Sequence, residues 1–145
     1  MKIEPWMKHP VITVKPLDSA RHAREIMEEH RINQLPVVVD GRLRGIVTDR
    51  DLRDAFPSAL EHGRRRTRSP HSDPAAVPVE DIMTANVLTL GPTDLVADAA
   101  RVMRRERVGA LPIIDGTRLV GILTRSDVLG AFAARAAPAA TARAG

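Results

Sequence analysis

The segment Leu35-Pro36-Val37-Val38 through Arg44-Gly45-Ile46-Val47-Thr48-Asp49-Arg50-Asp51 returns as Leu111-Pro112-Ile113-Ile114 through Val120-Gly121-Ile122-Leu123-Thr124-Arg125-Ser126-Asp127. The offset never slips. Thr13 recurs as Thr89, Pro16 as Pro92, Asp18 as Asp94, Met27 as Met103 and Phe56 as Phe132. A period this long is too large for a solenoid, so the chain reads as two copies of one small unit. Each copy spans about 50 residues, a size that is marginal alone, so the copies are expected to share buried surface. Function is then expected at paired, pseudo-symmetric places.

The pattern within each copy predicts strand, helix, strand, strand, helix. In copy one, Val11 to Val14 reads as a strand stopped by Pro16, and Asp18 or Ser19 can cap a helix to about Arg31. Leu35 to Val39 and Leu43 to Val47 read as strands around the turn signal Asp40-Gly41, and Thr48 opens a helix through Phe56 that Pro57 ends. Copy two repeats the order with Val87 to Leu90, Thr93 to Arg107, Leu111 to Ile114, Leu119 to Leu123 and Thr124 to Phe132. The expected fold class is α/β of the α+β type, two β-α-β-β-α repeats packed pseudo-symmetrically through their sheets. The expected divisions are a first unit over 1–57, an Arg/Pro/Ser-rich linker over 58–78 that is at least partly mobile, a second unit over 79–132 and a disordered Ala-rich tail over 133–145.

Composition removes several function classes. The chain has no cysteine, which excludes disulfides, thiolate metal sites and thiol nucleophiles. Its five histidines lack metal-ligand spacing, and there is no phosphate-binding Gly-rich loop or nucleophile elbow, so no catalysis is expected. Charges interrupt the N-terminus and no apolar run nears the roughly 20 residues that span a bilayer. A soluble, cytoplasmic protein with no membrane partner is expected. The formal charge of +4 sits mainly in the linker arginines Arg64, Arg65, Arg66 and Arg68 and in the tail, leaving the repeats near neutrality. Attraction of polyanions would have to come from those two segments, and with only Trp6, Phe56 and Phe132 as aromatics there is no stacking platform for single strands.

The doubled phrase Gly-apolar-apolar-Thr-x-x-Asp carries the chemistry. Thr48 and Thr124 fall at helix N-caps, with Asp51 and Asp127 three residues on in the same first turn. Helix N-terminal amides suit a phosphate, and one ionised carboxylate can accept from two vicinal hydroxyls of a ribose. Thr-x-x-Asp is equally a capping box, with Asp in place of Glu or Gln. A duplicated fold duplicates its caps, so the doubling alone leaves both readings open.

The full pattern, a strand with Thr13 or Thr89, then Leu-Pro-Val or Leu-Pro-Ile, then Gly-apolar-apolar-Thr-x-x-Asp, resembles the cystathionine beta-synthase (CBS) domain, and the tandem resembles a Bateman module. Val79-Glu80-Asp81-Ile82-Met83-Thr84 matches the family's lead-in segment, and Glu4-Pro5-Trp6-Met7 is a looser version. The resemblance implies an adenosine-containing effector, such as AMP, ADP, ATP or another adenosyl ligand, in two clefts between the copies and no catalytic cofactor. It places the sugar-binding acid on Asp51 and Asp127 and the hydroxyl near phosphate on Thr48 and Thr124. Thr13, Thr89, Leu35-Pro36-Val37 and Leu111-Pro112-Ile113 would border the base. Arg50 and Ser126, which differ between the copies, stand where specificity is set, and Arg50 can reach a second phosphate. Arg44 stands where copy two has Val120, a difference read as an exposed edge. The resemblance also implies a flat homodimer paired through Leu52, Phe56, Val128 and Phe132 and a regulated protein acted on in trans. The rival readings are a ligand-free dimeric scaffold and association with nucleic acid through the Arg-rich linker.

Overall fold

The computed structural model describes residues 1–57 and 73–136. The arginine run Arg64 to Arg68 and the tail beyond Ala136 lie outside the described residues, and so do the readings placed on them. Copy one contains α1 (Ala20–His30), β1 (Gln34–Val39), β2 (Arg42–Thr48) and α2 (Asp49–Ala55). Copy two contains α3 (Val96–Glu106), β3 (Ala110–Asp115), β4 (Arg118–Thr124) and α4 (Arg125–Arg135). Short 3-10 turns over Pro74–Ala76 and Val79–Asp81 join them.

Local chemistry explains the boundaries. The His22 N–H donates to Ser19 Oγ at 3.0 Å, so Ser19 rather than Asp18 caps α1. Helices α1 and α3 both end on an arginine in the left-handed region, Arg31 at φ 56 and Arg107 at φ 57, whose N–H turns back to a methionine carbonyl. Asp40 at φ 51 and Gly41 at φ 79 make the tight β1–β2 turn. Helix α3 starts later than the Thr93 expected from the pattern: Asp94 accepts the Gly91 N–H at 2.7 Å in a turn of its own, and the Val96 N–H goes to the Met1 carbonyl. Helix α4 runs past Phe132 through Ala133, Ala134 and Arg135, all residues of high helix propensity, so the tail is helical at its start.

The expected first strands shrink to single bridges. Val14 pairs in parallel with Val37, and Leu90 with Ile113. Pro10 and Pro16 flank the first segment and Pro92 follows the second, and proline cannot donate to a ladder. The remaining strands form one antiparallel sheet in the order β1-β2-β4-β3. Its two halves meet where Arg42 faces Arg118, with Leu119 N–H donating to Gly41 O at 2.9 Å and Leu43 N–H to Thr117 O at 3.1 Å. Arg42 and Arg118 are the same position in the two copies, so the pseudo-twofold axis passes between them.

Two aliphatic cores lie under the helices, and each is completed by the other copy's lead-in. Core one gathers Val14, Ala20, Ala23, Met27, Leu35, Val37, Val47, Leu52 and Phe56 together with Val77 and Val79, which precede copy two. Core two gathers Val96, Ala99, Met103, Leu111, Ile113, Leu123, Val128 and Ala131 together with Ile3 from the N-terminus. Ile3 and Val79, equivalent residues, are each fully buried. Backbone bonds fix the exchange: Ile3 N–H to Asp94 O at 2.9 Å and Glu4 N–H to Pro92 O at 3.0 Å on one side, Val79 N–H to Asp18 O at 2.8 Å and Glu80 N–H to Pro16 O at 2.9 Å on the other. The end of the expected linker is therefore structural, because Val77 buries its side chain against α1 and gives its carbonyl to the Ala20 N–H.

Candidate functional site

The exchanged lead-ins continue into the groove between the copies. Thr84 and Ile46 exchange backbone hydrogen bonds of 2.8 and 3.0 Å, and their equivalents Lys8 and Ile122 do the same at 2.8 and 3.0 Å. Each bridge lays a lead-in along the strand that runs to a Thr-x-x-Asp turn. The lead-in comes close because Gly45 and Gly121 carry no side chain: Met83 lies over Gly45 and Met7 over Gly121.

Around Asp51 this makes a cleft of about 580 Å³, a size suited to a small organic ligand. Copy one contributes Ile46, Thr48, Arg50 and Asp51; copy two and its lead-in contribute Thr84, Val87, Leu88, Arg107, Ala110, Leu111, Pro112 and Arg125. Asp51 Oδ2 accepts the Thr48 N–H at 2.9 Å while Thr48 Oγ1 accepts the Asp51 N–H at 3.0 Å. The capping box is thus present, and it uses one carboxylate oxygen. Asp51 Oδ1 has no protein donor among the described residues, so cap and ligand anchor are compatible roles for one side chain.

Charge in the cleft is uneven. Arg53 is paired with Asp49 at 3.3 Å, and Glu106 with Arg105 at 2.8 Å. Among the described residues no carboxylate pairs with Arg50, Arg107 or Arg125. These three guanidinium groups against the one Asp51 carboxylate leave the cleft cationic. Helix α2 has only 7 residues, so its dipole contributes little and the arginines, rather than the helix N-terminus, supply the attraction for an anion.

Around Asp127 the capping box recurs: Asp127 Oδ2 accepts the Thr124 N–H at 2.8 Å and Thr124 Oγ1 accepts the Asp127 N–H at 3.3 Å. Here the other oxygen is taken. The Lys8 ammonium donates to Asp127 Oδ1 and lies 3.4 Å from Thr124 Oγ1.

Of the residues singled out in the sequence, Thr48, Arg50, Asp51, Leu111 and Pro112 line one cleft. The structure does not bring Thr13 or Thr89 there. Thr13 lines a separate open hollow of about 950 Å³ with Asp18, His22 and Glu80, and Thr89 borders a 220 Å³ hollow beside Arg44; the residues just before Thr89, Val87 and Leu88, take the cleft position instead. Leu35, Val37 and Ile113 are fully buried in the cores, because alternate strand residues face the helices; Pro112 reaches the cleft from the other face, whereas Pro36 is itself fully buried and does not line it. Thr124 and Asp127 sit together under Lys8, and Ser126 is exposed on the first turn of α4. Sequence reasoning missed Lys8, Arg107 and Arg125. Aligning the copies at their offset sets Lys8 against Thr84, a change of charge that the sequence alone displays.

Two repeats of this topology share one sheet with a cleft between them, and the chain belongs to the CBS domain family, whose model matches residues 3–58 and 79–134. Among its relatives, "CBS domain-containing protein YhcV" of Bacillus subtilis is 31% identical over 126 residues, covering 87% of this chain and 81% of the relative. An inosine-5'-monophosphate dehydrogenase of Korarchaeum cryptofilum is 36% identical over 128 residues, 88% of this chain but 23% of that enzyme. The chain therefore spans about a quarter of the enzyme's length. Among solved structures, CBSX2 in complex with AMP superposes with a TM-score of 0.77 at 28% identity, covering 92% of this chain and 97% of that one. The CBS domain pair of protein MJ0100 in complex with 5-methylthioadenosine and S-adenosyl-L-methionine gives 0.74 at 28% identity, covering 94% and 98%. No helix among the described residues is long and apolar enough to cross a membrane.

Proposed function

We propose that this chain is a non-catalytic sensor that binds an adenine nucleotide in the Asp51 cleft and acts in trans on a partner protein. The observation that carries the reading is Asp51 Oδ1, a carboxylate oxygen with no protein donor among the described residues, set in a cleft built by both copies. A ribose diol satisfies that oxygen, and Val87, Leu88 and Pro112 offer apolar walls for a base. Because the cleft is made from both repeats, a bound ligand contacts both and favours one relative placement over another; that differential affinity is the whole of the signal.

The related structures carry ligands of different charge, AMP in one and methylthioadenosine with S-adenosylmethionine in the other. Arg50, Arg107 and Arg125 favour the phosphate-bearing ligand here, since a sulfonium would add a positive charge to a cationic cleft. Calorimetry with AMP, ATP, methylthioadenosine and S-adenosylmethionine is expected to rank the two nucleotides at least about tenfold above the two uncharged or cationic ligands, the value of one charge-assisted hydrogen bond. The double substitution of Arg50 and Arg125 to Ala is expected to remove that ranking while leaving methylthioadenosine binding in place. Silence from all four ligands would overturn the reading.

We also infer that the chain pairs with a second copy through α4. Of the residues expected to form that surface, Leu52, Phe56 and Val128 are buried in the chain's own cores, because the helical phase turns them inward. Phe132, 42% exposed, and Leu129, 69% exposed, remain on the surface, beside a groove lined by Ala100, Met103 and Val128. The equivalent of Leu129 in copy one is Arg53, so the apolar face belongs to copy two alone. Leu129→Glu is expected to weaken self-association by roughly 2–4 kcal/mol, since an isologous contact meets the change twice. Sedimentation would show the shift, and an unchanged mass would place the interface elsewhere.

A further inference from the structure

We propose that Lys8 is the resident partner of the Asp127 carboxylate, so that each chain takes one nucleotide, at Asp51, and the residue at the lead-in bridge sets that number. The inference rests on the nucleotide reading above and goes beyond it, because two Thr-x-x-Asp sites in matched context otherwise imply two bound ligands.

The two sites differ at one decisive position. Lys8 and Thr84 occupy equivalent places, each fixed by two backbone hydrogen bonds to the equivalent strand residues Ile122 and Ile46. From that place the Lys8 ammonium reaches both Thr124 Oγ1 and Asp127 Oδ1, while the Thr84 side chain brings no charge to Asp51. The Asp127 side chain is 12% exposed, so a ligand diol must displace Lys8 to reach it. An ammonium is the stronger partner, since it pairs charge with charge, whereas a ribose hydroxyl offers a neutral donor. Displacement would also leave a cation and a largely buried carboxylate to be resolvated or re-paired.

The surroundings reinforce the difference. The arginines that make the Asp51 cleft cationic do not recur in kind: the equivalent of Arg50 is Ser126, that of Arg125 is Asp49, and only Arg107 has a cationic equivalent, Arg31. Asp49 is itself paired with Arg53. The Asp127 site is thus close to internally neutral, with its anchor oxygen filled and few spare cations for a phosphate. The Asp51 site has the opposite balance. The lead-in residue is a specificity determinant acting from the opposite repeat's arm.

Exchanging the two residues tests this on the full chain. Calorimetry with AMP is expected to give one equivalent per native chain and two for Lys8→Thr. Thr84→Lys is expected to weaken the native site by about tenfold or more, the loss of one charge-assisted hydrogen bond. In the double exchange the single site moves, so that Asp127→Asn abolishes binding and Asp51→Asn does not. Both positions are solvent-exposed, and unchanged thermal melts keep folding out of the comparison. Two equal equivalents in the native chain, or one equivalent in Lys8→Thr, would overturn the proposal while leaving nucleotide binding standing. No AMP heat from any of the four proteins would overturn it together with the nucleotide reading.

Discussion

Asp51→Asn is expected to weaken AMP binding by about 10- to 100-fold with little change in melting temperature. The two consequences separate because the side chain uses its oxygens differently. Oδ2 closes the capping box with the Thr48 N–H at 2.9 Å, and an asparagine carbonyl oxygen can still accept that bond. What disappears is the charge on the oxygen left for the ligand, and charge-assisted hydrogen bonds are worth roughly 1.5–3 kcal/mol. The same argument makes AMP bind more tightly than 2'-deoxy-AMP by about 1–3 kcal/mol, since the deoxy sugar leaves a partly desolvated carboxylate short of a donor. Calorimetry supplies the first pair of numbers and a thermal melt the second. A variant that melts much lower and still binds AMP normally would make Asp51 a cap and nothing else.

Gly45→Ala is expected to be among the most damaging single-methyl additions in the chain, and Gly121→Ala distinctly milder, although the two glycines are equivalent. A Cβ at Gly45 would lie 2.8 Å from the Thr84 carbonyl oxygen and 2.6 Å from Met83 Sδ. The backbone atom cannot step aside without breaking the Thr84–Ile46 bridge. At Gly121 the neighbours are atoms of the Met7 side chain, which has other rotamers available. Overpacking against a fixed partner costs about 1–3 kcal/mol, equivalent here to a fall in Tm of roughly 5–10 °C. Because Thr84 borders the Asp51 cleft, Gly45→Ala is also expected to weaken AMP binding, whereas Gly121→Ala leaves it near the native value. Equal effects on melting would show that the lead-in at Gly45 is as yielding as the methionine at Gly121.

Much of this was legible in the residues themselves. The hairpins follow from Asp40-Gly41 and from the short aliphatic runs on either side of it, and the helix starts at Thr48 and Thr124 follow from the cap chemistry. Short-range rules sufficed there because each of those elements is decided by neighbours in sequence. The exchange of lead-ins was not legible. An internal repeat says that Ile3 corresponds to Val79, but a fully buried isoleucine looks the same in sequence whether it fills its own core or its neighbour's. The resemblance sets Thr13 and Thr89 at the clefts, yet Val87 and Leu88 line the Asp51 cleft while Thr89, just beyond them, borders a separate hollow. Which side of the short helices is buried is hidden from the sequence for a related reason. In α2, with 7 residues, one turn of phase decides whether Leu52 faces in or out, and burial under α1 settled it.

The reciprocal arms have a mechanical consequence. The stretch that anchors Val79 in one core passes through the 3-10 turn Val79–Asp81 and reaches, a few residues later, the rim of the Asp51 cleft at Thr84 and Val87. Anything that draws the rim inward therefore pulls on packing deep inside the opposite half. Occupancy of that cleft and heat resistance are therefore expected to move together, and neither half can be tuned in isolation.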